Sequence, residues 1–223
     1  MHYDIFNGDA DGIFSLHQFR LSNPFPGAQL VTGVKRDVCL LSQLENLRGC
    51  VLTVFDISLD SNRSSLLQIL LGDNEVTYFD HHFAGDMINS PGLHAHIDPS
   101  PATCTSLVVD RVLHHQHGLW AICGAFGDNL LEPALDLAQS FHLSDKQTEQ
   151  LRELGELFNY NGYGATMADL FFHPRDLYEA IRPYANPFDY LAESQQVNTL
   201  RDAYQADIDL AMQQEEQPKK KKN

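Results

Sequence analysis

Tyr3-Asp4-Ile5-Phe6-Asn7-Gly8-Asp9-Ala10-Asp11-Gly12 joins a short apolar run to a turn carrying two carboxylates. The run at residues 3–6 reads as a buried strand, and the acids fall just past its carboxyl end. The arrangement recurs in Val54-Phe55-Asp56, which closes a run at 51–55, and in Tyr78-Phe79-Asp80-His81-His82, which closes a run at 76–79. Parallel strands collect such residues at one sheet edge, where open α/β folds keep their sites. Outward from these runs, helical periodicity is read at 11–21, then a break at Asn23-Pro24-Phe25-Pro26-Gly27, a strand at 29–34, helices at 40–47 and 61–71, and a short strand at 94–97. The alternation predicts an α/β fold, a doubly wound and mostly parallel sheet flanked by helices.

After Pro99-Ser100-Pro101 the pattern becomes helical at 103–117, 119–126, 130–141 and 144–158, the last opening on a Ser144/Gln147 capping box. Beyond the glycine-bearing stretch 159–164, helices are expected at 174–181 and 187–216. The final one carries a narrow apolar stripe of Tyr190, Leu191, Val197, Leu200, Tyr204, Ile208 and Met212, which needs a partner; homodimerisation would supply one. The expected organisation is a catalytic domain at 1–160, a helical extension at 161–216 and a solvated tail at 217–223.

Asp9, Asp11, Asp56, Asp80, His81, His82 and Asp128, the last following Cys123-Gly124-Ala125-Phe126-Gly127, bring oxygens and imidazoles together with no thiolate nearby. Such a set favours Mn²⁺ or Mg²⁺ over structural zinc. Taken singly, the pieces have ordinary readings: Asp-Ala-Asp-Gly suits a turn and helix cap, and Asp56 suits a strand-ending cap. Asp80-His81-His82 resists such a reading, because three consecutive polar side chains after a buried strand share no apolar partner.

In order and spacing, these motifs resemble the DHH phosphoesterase superfamily, which includes RecJ-type exonucleases, nanoRNases, cyclic-dinucleotide phosphodiesterases and family II pyrophosphatases. The resemblance covers roughly residues 1–130. It implies a hydrolase with two metal ions: Asp56 bridging them, Asp9 serving the first, and Asp11, His81 and Asp128 completing the second. Two ions about 3.5–4 Å apart would generate a hydroxide and neutralise the charge that develops at phosphorus. His82 would face the scissile phosphate, while Asp80 would orient an imidazole or close the turn. Many members place a histidine four residues before the Asp-x-Asp pair, where this chain has Ile5; Asn7 or water would then complete an asymmetric first site. The superfamily's second domain binds substrate through a glycine-rich loop, and no Gly-Gly pair occurs in this sequence.

The 223 residues are 43% hydrophobic and 20% charged, enough for a sizeable core. No apolar run approaches the ~20 residues of a membrane span and no leader pattern opens the chain, so a cytoplasmic protein without membrane contact is expected. Cysteines at 39, 50, 104 and 123 are scattered and read as reduced packing residues. The net charge of −15 would repel long duplex nucleic acid and favours a small phosphorylated substrate or a short oligonucleotide. Lys35 and Arg36 are the basic pair placed to contact a substrate phosphate, although a solvated turn explains them equally well. His114, His115 and His117 read as charge placed near a helix carboxyl end. The functional expectation is a metal-dependent phosphoesterase; the alternative is a catalytically weak metal- or nucleotide-binding interaction module.

Overall fold

The computed structural model describes residues 1–44 and 46–220. Strands β1 (His2–Phe6), β2 (Gln29–Thr32), β3 (Val51–Phe55), β4 (Glu75–Asp80) and β5 (Leu93–Ile97) form one sheet in the order β2-β1-β3-β4-β5. Every pairing is parallel, and Phe6 stands opposite Thr32 on one side and Phe55 on the other. The chain therefore leaves β1 in one direction to form β2 and returns past it to form β3. Between the carboxyl ends of β1 and β3 lies the crevice that such a reversal opens.

Strand alternation sorts the side chains into two cores. Tyr3, Ile5, Leu52, Val54, Val76 and Tyr78 face α2 (Leu59–Leu70) and a 3-10 turn at Leu40–Gln43. Phe6, Phe55 and Phe79 face a larger helical core built on α1 (Ala10–Ser22), α3 (Thr105–Val112) and α4 (Gly118–Gly127). Helix α4 is apolar around most of its circumference because it is enclosed, lying against α1, α3, α5 (Leu131–Ser140) and α6 (Asp145–Asn161). Its Trp120 satisfies the indole N–H by donating to the Ala185 carbonyl at 3.0 Å. Buried residues of α7 (Pro174–Ile181), α8 (Pro187–Glu193) and α9 (Gln195–Lys220), among them Leu177, Tyr178, Tyr190 and Leu200, join this same core.

Three expected helices differ. The described residues of 40–47 hold only the 3-10 turn, because the Asn62 side chain reaches over from α2, accepting from Leu41 N at 3.2 Å and donating to the Val38 carbonyl. The helix expected at 103–117 is α3 alone: His114 and His115 take positive φ values of 55° and 60°, and His115 Nδ1 lies 2.6 Å from Asp110 Oδ2. The long final helix is two, broken at Ser194, whose hydroxyl accepts from Val197 N at 3.2 Å and so starts α9. The expected capping box of Ser144 and Gln147 does open α6.

The first part of the α9 stripe finds its partner within the chain. Val197 and Leu200 are buried, Arg201 pairs with Glu153 of α6 at 2.6 Å, and the Tyr160 hydroxyl donates to Asp207 at 2.6 Å. Helix α9 extends to Lys220, so the expected tail is helical at its start, and residues 221–223 lie outside the described residues. All four cysteines are free, and no helix among the described residues is long and apolar enough to cross a membrane.

Candidate metal centre

The turn after β1 brings Asn7, Asp9 and Asp11 to the β1/β3 crevice. Gly12 makes it tight enough, since a Cβ there would stand 2.3 Å from the Asn7 carbonyl oxygen. Asp9 caps α1, accepting from Gly12 N at 3.1 Å, and its second oxygen lies 2.7 Å from Lys35 Nζ. Asp11, buried in the first turn of α1, accepts from the backbone N–H groups of Thr105 and Ser106, each at 2.7 Å. Those donors are the amino end of α3, the positive end of its dipole.

Asp56 follows β3 in the left-handed region, φ 58°, which few residues other than glycine adopt. Its N–H donates to the Phe79 carbonyl at 3.0 Å, and its Oδ1 accepts from the Thr105 hydroxyl at 3.0 Å. Strain of this kind is held in place by the surrounding structure and clusters at functional positions. Asp80, fully buried at the end of β4, accepts from Leu59 N at 3.3 Å, from His81 N at 2.9 Å and from His82 Nδ1 at 2.7 Å. That fixes the His82 ring with Nε2 as its free nitrogen. His81 Nε2 stands 3.5 Å from Asp56 Oδ1 and 3.8 Å from Asp128 Oδ2, too far for hydrogen bonds.

Two groups converge within 4.8 Å: Asp11, His81 and Asp128, and Asp56, His81 and His82. Each group is close enough to hold a metal ion, since the donors of an octahedral ion with bonds near 2.1 Å lie about 3 to 4.2 Å apart and small side-chain shifts would close the difference. The Asn7 side-chain oxygen, buried and without a hydrogen-bond partner among the described residues while its nitrogen donates to the Lys35 carbonyl at 3.3 Å, is a further oxygen donor. The electrostatics agree. Burial, then the charges of Asp11, Asp9, Asp80 and Asp128, push the Asp56 carboxyl well above the usual range. Burial and the charges of Asp11 and Asp9 push Asp128 up to about 7, against the pull of Lys35 and His82. His82 is raised by its hydrogen bond to Asp80. Asp128 is also the C-cap of α4, the negative end of that helix, where an acid is unfavourable.

Asp9, Asp11, Asp56, Asp80, His81, His82, Asp128, Asn7 and Lys35 thus share the crevice region, whereas Arg36 is exposed with no side-chain partner among the described residues. Ile5 is fully buried in the core facing α2. The small residues before Asp128 serve helix packing: a Cβ on Gly124 would meet Ser106 Oγ at 2.1 Å, and one on Gly127 would meet Ala10 at 2.4 Å. Sequence reasoning missed Thr105, Ser106 and Asn159, which contact the acids or Lys35 from far along the chain.

No family model matches the chain, and no curated protein matches it in sequence. Among solved structures, the chain is similar to a crystal structure of exonuclease RecJ bound to manganese, at 15% identity and a TM-score of 0.51 over 98% of this chain and 65% of that one. It also aligns with an uncharacterized protein from Helicobacter pylori G27, at 13% identity and a TM-score of 0.38 over 90% of this chain and 68% of that one. The chain therefore spans about two thirds of the RecJ chain, and what the two share is an α/β fold with its helical flank.

Proposed function

We propose that this chain is a metal-dependent phosphoesterase that hydrolyses a small phosphoester or phosphoanhydride, or a short oligonucleotide. The observation that carries this is the convergence of Asp11 with Asp128, and of Asp56 with His82, on the same His81 within 4.8 Å, with Asp56 and Asp128 held in positions that raise their carboxyls. A divalent ion held there supplies Lewis-acid charge and lowers the pKa of water toward neutrality.

The chain's own residues do the rest. Asp11, His81 and Asp128 would hold the charge in place, with Asp56 beside the same imidazole. The amino end of α3 and the Thr105 hydroxyl fix the angles of Asp11 and Asp56. His82, anchored through Nδ1 by Asp80, presents Nε2 to a phosphate oxygen or to the leaving oxygen. As water gives up one proton to the solvent and its oxygen bonds to phosphorus, the bond from phosphorus to the leaving oxygen breaks, and a protonated Nε2 is placed to supply the departing oxygen's proton. The RecJ neighbour bound to manganese and the acidic surface support Mn²⁺ as the ion and a short substrate.

The test is Mn²⁺-dependent hydrolysis of bis-p-nitrophenyl phosphate, pyrophosphate and a dinucleotide by wild type and Asp56→Asn. Turnover in the wild type alone supports the assignment and names the substrate class. Turnover kept in Asp56→Asn refutes it, and bound Mn²⁺ without turnover on any of the three would instead identify a binding module.

A further inference from the structure

Asp9 differs from Asp11, Asp56 and Asp128 in that one of its oxygens is paired with an ammonium, whereas the partners of Asp11 are neutral N–H groups. Oδ1 accepts from Gly12 N at 3.1 Å, and Oδ2 lies 2.7 Å from the Lys35 ammonium. Lys35 is built into this place. Its Nζ also donates to Asn159 Oδ1 at 2.9 Å and sits 5.6 Å from the centre of the Tyr163 ring. Its backbone is held on both sides, the carbonyl accepting from Asn7 Nδ2 at 3.3 Å and the N–H donating to the Gly162 carbonyl at 3.4 Å. Asn159 and Gly162 lie at the carboxyl end of α6, the negative end of its dipole.

A carboxylate, an amide oxygen, an aromatic face and a helix carboxyl end are all partners a cation seeks. Asp9 takes part in neither converging group of donors, and Ile5, buried in the opposite core, offers no imidazole on its side.

We propose that Lys35 is a resident cation in the place a first metal ion would take beside Asp9, so that the centre holds a single divalent ion at His81, the imidazole that both converging donor groups share. This rests on the metal assignment of the phosphoesterase reading and revises its ion count. The ammonium neutralises Asp9 and keeps one N–H to offer a phosphate oxygen, since two of its three donors are already directed at Asp9 and Asn159. It is a Brønsted rather than a Lewis acid, so water activation falls to the one ion. Without the ammonium, Asp9 and the partnerless Asn7 oxygen are left as free oxygen donors.

The experiment is equilibrium dialysis against Mn²⁺ with metal analysis and EPR, on wild type, Asp9→Asn and Lys35→Met, each shown folded by thermal melting. One Mn²⁺ per wild-type chain is expected, with the hyperfine pattern of an isolated ion. Asp9→Asn should keep that single ion, and Lys35→Met should gain a second, weaker one with an exchange-broadened spectrum. Two ions in wild type overturn the proposal while leaving the phosphoesterase reading standing. No ion in wild type overturns both. Loss of the ion in Asp9→Asn, or a folded Lys35→Met that stays at one, also overturns it. The wild-type count decides even if Lys35→Met does not fold.

Discussion

Replacing Asp128 with asparagine should stabilise the metal-free protein. The carboxyl is pushed from 3.8 up to about 7 by burial and by the charges of Asp11 and Asp9. The folded state therefore holds the Asp128 proton more tightly than the unfolded chain does. The resulting penalty is absent below about pH 3.8, grows as pH rises, and is complete above about pH 7. At about 1.36 kcal/mol per pH unit it reaches up to about 4 kcal/mol. Asparagine removes the charge at nearly the same shape, and suits the end of α4 better than an acid does.

In EDTA at pH 7.5, Asp128→Asn should therefore exceed wild type in urea-unfolding free energy by up to about 4 kcal/mol, and the advantage should vanish as pH approaches 4. Saturating Mn²⁺ should narrow the gap. An ion at a hundredfold its Kd contributes about 2.7 kcal/mol, about 5–11 °C in Tm for a chain of this size, and the variant has lost a charged ligand. A variant less stable than wild type in EDTA at pH 7.5, or one gaining as much from Mn²⁺ as wild type, would refute the reasoning.

Burial holds His17 at about 4, with Nε2 2.9 Å from the Tyr184 carbonyl oxygen, so the unfolded chain takes up this proton first as pH falls through 6.5. Between pH 7 and pH 5, wild type should lose about 2 kcal/mol more than His17→Gln in paired denaturation curves. Asp80→Asn should lower kcat about 10- to 100-fold by freeing the His82 ring, with the Mn²⁺ count unchanged in metal analysis. In Gly155→Ala, the new Cβ would stand 2.1 Å from the Cys123 carbonyl oxygen, forcing α4 and α6 apart. Overpacking of about 1–3 kcal/mol should outweigh the helix-propensity gain of about 1 kcal/mol and lower the denaturation midpoint.

The strands were legible where a buried apolar run ended on an acid, as at Phe6, Phe55 and Phe79, because period and terminus then agree. Residues 40–47 misled because Leu40, Leu41 and Leu44 are apolar for a different reason: they fill the α2 face, and the Asn62 side chain meets the backbone groups a helix would have paired. The break at Ser194 carried two sequence signals, a hydroxyl three residues before Val197 and a six-residue step in the apolar stripe from Leu191 to Val197, but the three- and four-residue steps on either side read as one helix. In the site, the acids and His81 were readable from local motifs. Thr105, Ser106 and Asn159 were not, since each reaches its partner across roughly ninety residues or more and belongs to a helix with ordinary periodicity.

Pairing each carboxylate with its compensation locates the charge that the fold leaves unanswered. Asp9 has the Lys35 ammonium, Asp11 has two N–H groups at the amino end of α3, and Asp80 has two backbone N–H groups and an imidazole. Asp56 receives one neutral hydroxyl, and the Asp128 carboxylate accepts no hydrogen bond among the described residues, with His81 at 3.8 Å. These two are also carboxyls that burial and neighbouring charge push upward. His81 Nε2 is near both, and its separations of 3.5 Å from Asp56 and 3.8 Å from Asp128 are what donors show when they share an ion rather than a proton. Three of the five acids are thus satisfied by the protein itself, and the remaining negative charge is concentrated around one imidazole. A cation bound there completes a balance that the helical half of the chain, through α3 and α6, has already set for Asp11 and Asp9.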